Sequence, residues 1–165
     1  MSPTPTGRVV PTADGRDLVL TRRFAGSVED VWASITESER TARWFGSWVG
    51  EPGAGNTITI TLVAEEGEPT TEAHIDVCDP PHHLALTTSD AMGTWRLEAF
   101  VRAVDGGAEL EFVHHLSPEA PVGDVGPGWE FYLDRLVASV VGDPLPEFDD
   151  YHPAQVAYYG AAAGG

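Results

Sequence analysis

The sequence contains little or nothing of three features: cysteine, lysine and long apolar runs. Cys78 is the only cysteine in 165 residues, which excludes an intramolecular disulfide and favours a reducing compartment. No stretch approaches the roughly 20 apolar residues of a membrane-spanning helix. Residues 1–11 also lack the apolar core of a signal peptide. Together these absences predict a cytoplasmic protein that does not cross a membrane.

The charge is strongly one-sided. All nine basic residues are arginine, and 26 acidic residues bring the formal net charge to −17 at pH 7. A field this negative repels phosphate backbones and anionic lipid headgroups, so neither nucleic acid nor a membrane surface is expected as a partner. Solubility is the simpler explanation of the charge. A hydrophobic content of 42% is enough to bury the core of one domain.

The N-terminal third predicts a hairpin followed by two short helices. Segments 7–12 and 16–24 are extended and flank an Asp-Gly dipeptide, which is a strong hairpin signal. Ser27 is suited to cap a first helix, whose apolar residues recur with helical spacing. Thr36 begins the same capping pattern again, so a second short helix is expected to run to about Phe45.

The middle of the chain predicts an antiparallel meander. From Gly46 to Leu116, short runs of alternating apolar and polar residues are separated by Gly and Pro turns. In one predicted strand Ala73, Ile75 and Val77 share a face. Such strands are apolar on one face, so another element must cover that face.

A long helix near the C-terminus is the predicted cover. It is expected to start at Gly126 with Pro127 in its first turn, and to run to about Val141 with an apolar stripe along one side. We expect one domain over residues 1–142. The Pro- and Tyr-rich tail, 143–165, is expected to pack on it through a short helix after Pro153, with disorder over the last six residues.

Four motifs resemble those of a known family. They are RRFAGSVEDVW at Arg22–Trp32, TESE at Thr36–Glu39 followed by Trp44, VCDPP at Val77–Pro81 followed by Leu84, and Gly128-Trp129 followed by Leu133 and Leu136. Together they resemble the activator of heat-shock-protein-90 ATPase homologue-like family, within the START-like (SRPBCC) superfamily. The resemblance implies an α+β helix-grip fold. In it a curved antiparallel sheet of six to seven strands, with two short helices after the first core strand, carries a long C-terminal helix across the sheet.

The same resemblance implies an apolar pocket between the sheet and the long helix. The candidate ligand-binding residues are Arg22, Trp32, Trp44, Trp95, Phe112, His114, Trp129, Tyr132, Leu133 and Leu136. His114 could bond a ligand or act as a general base, or it could be a core histidine bonded to a backbone carbonyl or to Tyr132. Arg22 could pair with a ligand carboxylate, reach a Glu at the rim of the pocket, or cap the end of a strand. The aromatic residues could line a pocket or fill a core.

Three functions remain open at this point. Binding of a hydrophobic small molecule (a lipid, polyketide or aromatic metabolite) is favoured, without catalysis. An enzyme of the aromatase/cyclase type, with His114 as acid–base, is the alternative, and modulation of a heat-shock chaperone ATPase is the third. No metal site or cofactor is expected, because the histidines lack ligand spacing and both the nucleophile-elbow and phosphate-loop patterns are absent. The protein is expected to be a monomer or a homodimer.

Overall fold

The computed structural model describes residues 3–90 and 93–163. Its strands are β1 Arg8–Pro11, β2 Arg16–Phe24, β3 Gly46–Gly50, β4 Thr57–Leu62, β5 Thr70–Asp79, β6 His83–Asp90, β7 Gly93–Val104 and β8 Gly107–Leu116. Its helices are α1 Val28–Thr36, α2 Ser38–Thr41, α3 Val122–Val141 and α4 Val156–Ala163, with one 3-10 turn at Phe148–Asp150. Within the described chain the strands form one antiparallel sheet in the order β1-β2-β8-β7-β6-β5-β4-β3.

The predicted helix-grip fold is confirmed, with eight strands in the described residues where the sequence predicts six to seven. The additional strand is β3, whose five residues begin and end with glycine and carry too little alternation to be recognised. It forms an edge of the sheet and pairs with β4, placing Trp48 opposite Ile60. Pairing with an apolar neighbour therefore creates this strand, since its own sequence favours it only weakly.

The first helix begins as predicted and the second does not. The Asp30 N–H donates to Ser27 Oγ at 3.1 Å, which caps α1. Thr36 does not cap α2, because its hydroxyl donates to the Trp32 carbonyl one turn back, at 2.7 Å. The second helix therefore starts at Ser38 and ends at Thr41, four residues short of the predicted end.

Strand β5 contains a bulge that changes which residues face inward. Ile75 pairs with Leu86, but the register then shifts, so that Cys78 pairs with Leu84. A bulge adds one residue to one strand and so reverses the alternation beyond it. The predicted face of Ala73, Ile75 and Val77 is therefore wrong at its last member, whose place on the inner face is taken by Cys78.

Helix α3 begins at Val122, four residues before the predicted start, so Pro127 lies inside the helix. The proline costs one backbone hydrogen bond. The neighbouring Gly126 packs closely against α4, because any side chain at that position would overlap the ring of Tyr159. The helix ends at Gly142, whose φ of +80° suits glycine and whose N–H donates to the Ala138 carbonyl.

The C-terminal tail packs onto α3. Tyr151 and Tyr159 are both fully buried. Helix α4 runs to Ala163 and so includes the first residues of the segment from Gly160 for which the sequence predicts disorder, and that disorder stays a prediction. The last two residues of the expected disorder, 164–165, lie outside the described chain. The division of the chain at residue 142 stays a prediction.

Candidate functional site

A cavity of about 160 Å³ lies between the inner face of the sheet and the helices α1 and α3. Its aliphatic wall comes mainly from the sheet: Ile58, Ile60, Ile75, Leu84, Leu86, Leu97 and Leu110. Its aromatic wall consists of Trp44, Phe45, Trp48, Phe112 and Trp129. Pro52, an exposed residue in the turn between β3 and β4, is also part of the lining. The cavity therefore reaches the surface at that turn.

The two-part core explains why this space exists. The larger apolar cluster joins α1 and α3 to β2, β7 and β8. A smaller cluster belongs to β4 and β5 at the far side of the sheet. Between them, Leu84 pairs with Ala99 and Leu86 with Leu97 on the inner face of β6 and β7, and all four are only partly buried. Apolar side chains that point inward without full burial mark the cavity.

The three indoles of the cavity wall direct their N–H groups away from the cavity. Trp44 Nε1 donates to the Ser34 carbonyl and Trp48 Nε1 to the Thr36 carbonyl, each at 2.9 Å. The N–H of Trp129 is taken by a ring nitrogen of His114 at 3.1 Å. Since an indole has a single N–H, these rings present only apolar surface to the cavity.

The polar side chains of Thr36, Thr41 and Glu98 in the lining also form hydrogen bonds with other groups of the protein. Thr36 and Thr41 donate their hydroxyl protons to backbone carbonyls of their own helices. The Glu98 carboxylate bonds His83 at 2.8 Å and His115 at 2.6 Å, both on the opposite face of the sheet. The thiol of Cys78, placed inward by the bulge, is the remaining polar side-chain group of the described lining.

His114 lies behind the cavity wall. It is 2% exposed and its ring stacks on Trp95 at 4.7 Å. Its Nδ1 accepts the indole proton of Trp129, whereas the sequence leaves a backbone carbonyl or Tyr132 as its partner. Burial, helped by the neighbouring charge of His115, lowers the pKa of His114 to about 4. The ring is therefore neutral at pH 7.

The guanidinium of Arg22 forms ion pairs within the protein and is therefore already occupied. Its guanidinium bonds Glu130 and Asp134 of α3, both at 2.9 Å. Glu130 is 1% exposed and also accepts the backbone N–H of Thr6 at 2.6 Å. Of the alternatives that the sequence allows, the pairing with acidic side chains is the one observed.

The fold and the site together permit comparison with known proteins. The sequence pattern of the family described as "Activator of Hsp90 ATPase homolog 1-like protein" matches residues 25–140. The chain belongs to this family. The resemblance found in its motifs is thereby confirmed, and the match includes both helices before the meander and nearly all of α3.

Solved structures similar to this family member share its fold. CalU16 from Micromonospora echinospora is 23% identical, with a TM-score of 0.76 over 98% of this chain and 97% of that one. A conserved protein of unknown function from Enterococcus faecalis, EF2215, is 17% identical, with a TM-score of 0.74 over 94% of this chain and 88% of that one. DynU16, from the dynemicin biosynthetic locus, is 18% identical, with a TM-score of 0.68 over 80% of this chain and 50% of its own. No protein with a curated description matches the sequence.

Within this family member, the predicted site residues separate into two groups. Four of them line the cavity: Trp44, Phe112, Trp129 and Leu133. Six lie outside its lining: Arg22, Trp32, Trp95, His114, Tyr132 and Leu136. Tyr132 donates its hydroxyl to Glu65 at 3.2 Å, and Leu136 is fully buried in the core. A role in ligand binding stays a prediction for all ten.

Most of the sheet wall is absent from the residues that the sequence predicts for the site. Ile58 and Ile60, and later Leu84 and Leu86, alternate along their strands as one face of a sheet does, yet none of them is among the predicted site residues. Trp48 was missed together with strand β3. The alternation was the available signal, because inward apolar residues far from the long helix must face either another element or a space.

Two further expectations concern metals and membranes. In residues 3–90 and 93–163, no three His, Cys, Asp or Glu side chains are placed to hold a metal ion. Within the same ranges, none of the helices has the length and apolar character that a membrane crossing requires. The cytoplasmic location and the oligomeric state stay predictions.

Proposed function

We propose that the protein binds a hydrophobic small molecule, such as a lipid, polyketide or aromatic metabolite, in the cavity between the sheet and α3. The observation that carries the proposal is the apolar cavity of about 160 Å³, bounded by leucines of β6 and β7 that are only partly buried. Because the cavity reaches the surface at Pro52, its apolar walls are open to water when no ligand is bound. A bound apolar molecule would remove those walls from water, which is favourable by about 25 cal/mol per Å² of apolar surface buried.

The comparisons are in keeping with this proposal. Family membership supports a fold that encloses a cavity beneath its long helix. One structural neighbour, DynU16, is described as a protein in the dynemicin biosynthetic locus, which associates that protein with small-molecule biosynthesis. The likeness of the two chains extends to the fold, so the ligand of this protein has to be found by experiment.

Native mass spectrometry of protein purified without detergent tests the proposal directly. We expect a bound mass that disappears on denaturation, or an apolar compound that raises the melting temperature. The variant Ala99→Leu places three extra carbons in the cavity and should weaken binding at least tenfold. Ala103→Leu is the matched control, because Ala103 is exposed on the same strand and does not line the cavity. Equal binding by both variants would place the ligand elsewhere and contradict the proposal.

The two alternatives have less support from the geometry. A cyclase mechanism requires His114 to reach the substrate, yet its ring lies behind Trp129 and bonds that indole. Turnover of any candidate substrate that survives His114→Ala would end this alternative. Modulation of a chaperone ATPase rests on the family description alone, and a pull-down that recovers no chaperone would remove it.

A further inference from the structure

We propose that the cavity selects an uncharged aromatic ring system, a single ring or a fused pair, and excludes carboxylates. The inference rests on the proposed function and narrows it to one ligand class. It follows from three properties of the lining that the described residues form: the absence of a cation, the lack of free side-chain hydrogen-bond donors, and the combination of size with aromatic walls.

Charge is the first property. None of the described residues that line the cavity is cationic. Arg22 is held by Glu130 and Asp134, and Arg135 donates its Nε–H to the Trp44 carbonyl at 2.9 Å, behind the wall. A carboxylate inside this cavity, away from its mouth at Pro52, would lose its hydration without gaining a counter-charge, which is strongly unfavourable. The net charge of −17 adds a repulsive field for any anion that approaches.

Hydrogen bonding is the second property. The indole protons of Trp44, Trp48 and Trp129 all go to protein acceptors. The hydroxyl protons of Thr36 and Thr41 go to backbone carbonyls. Among the side chains of the described lining, only the weakly donating thiol of Cys78 is left as a donor. A ligand carbonyl would therefore find no strong side-chain donor, and a ring without acceptor groups loses nothing on entering.

Size and wall chemistry are the third property. An apolar cavity of about 150 Å³ is known to take up benzene, so a cavity of about 160 Å³ accommodates one ring or a compact fused pair. Phe112 lies 4.3 Å from Trp129, and Phe45 stacks on Trp129 at 6.1 Å, between ring centroids. Aromatic walls at these spacings favour a further ring, through offset-stacked or edge-to-face contacts.

The test compares naphthalene, 2-acetylnaphthalene and 2-naphthoate on the wild-type protein at pH 7. Binding is measured by calorimetry and by protection of Cys78 from N-ethylmaleimide, since this half-exposed thiol lies in the cavity wall and is the only cysteine. We expect naphthalene to bind and to slow the modification. The neutral ketone should bind more weakly than naphthalene, and the naphthoate at least 100-fold more weakly than naphthalene.

The outcomes separate this inference from the proposed function. If naphthalene and naphthoate bind within tenfold of each other, charge exclusion is wrong while the binding function stands. If the ketone and the naphthoate are excluded equally, size and not charge makes the selection, and the inference again fails. If none of the three binds, the aromatic-ring inference fails, and the proposed function is contradicted as well if native mass spectrometry of the purified protein also shows no bound apolar mass. The variants Ala99→Leu and Ala103→Leu then report whether any binding observed is in the cavity.

Discussion

Lowering the pH from 7 to 4 is expected to weaken the fold through His114. Burial lowers the pKa of this side chain from 6.5 to about 4. The unfolded chain therefore takes up a proton near pH 6.5, whereas the folded chain resists it until about pH 4. Stability from this group is fully present above pH 6.5 and is lost as the pH falls toward 4. At 1.36 kcal/mol for each pKa unit, the loss is about 3 kcal/mol.

The variant His114→Asn isolates this effect. Its side-chain oxygen can still accept the indole proton of Trp129, which His114 accepts at 3.1 Å, but it does not titrate. The free energy of unfolding is measured in urea at pH 7, 5.5 and 4, with tryptophan fluorescence as the signal. We expect the advantage of the wild type over the variant to shrink by about 3 kcal/mol between pH 7 and 4. Parallel profiles would refute a buried, neutral histidine.

Three other perturbations have defined outcomes. Arg22→Met leaves the buried Glu130 without its main cation, so urea unfolding should show a loss of about 3–5 kcal/mol, while naphthalene binding stays unchanged. Burial lowers the pKa of His115, but its bonds to Glu98 and Asp17 outweigh burial and raise that pKa overall. NMR titration should therefore give a value above 6.5, and His115→Asn should destabilise more at pH 5.5 than at pH 8. Ser27→Ala removes the cap of α1 and should cost about 1 kcal/mol in the same urea assay; no change would contradict the cap.

Much of the architecture is predictable because its signals are local. Strand alternation places Leu110, Phe112 and His114 on one face of β8, and all three are buried there. The cap at Ser27 and the stop at Gly142 follow from the chemistry of single residues. Each of these features depends on a few residues that are neighbours in the sequence, so the sequence alone is enough to predict it.

The features that escaped prediction depend on contacts between distant segments. The bulge in β5 brings Cys78 inward, and nothing local distinguishes it from Val77. Helix α3 extends back through Pro127, where Tyr159 of α4 packs against its neighbour Gly126. Tertiary packing overrides local propensity in such places.

The candidate site was harder to predict than the fold for the same reason. Strand alternation puts His114 on the face of Leu110 and Phe112, but its bond to Trp129 depends on how α3 lies across the sheet. The cavity is the space between two apolar clusters, and no local sequence pattern indicates such a space. Only the relative placement of β4–β7 and the helices reveals it.

The central claim is that an apolar ring occupies the cavity beneath α3. The five tryptophans test it in one NMR titration, because Trp44, Trp48 and Trp129 line the cavity whereas Trp32 and Trp95 do not. On addition of naphthalene, the indole N–H signals of the three lining residues should shift together, with those of the other two unchanged. Shifts confined to Trp32 or Trp95, or no shift at saturating naphthalene, would contradict the account.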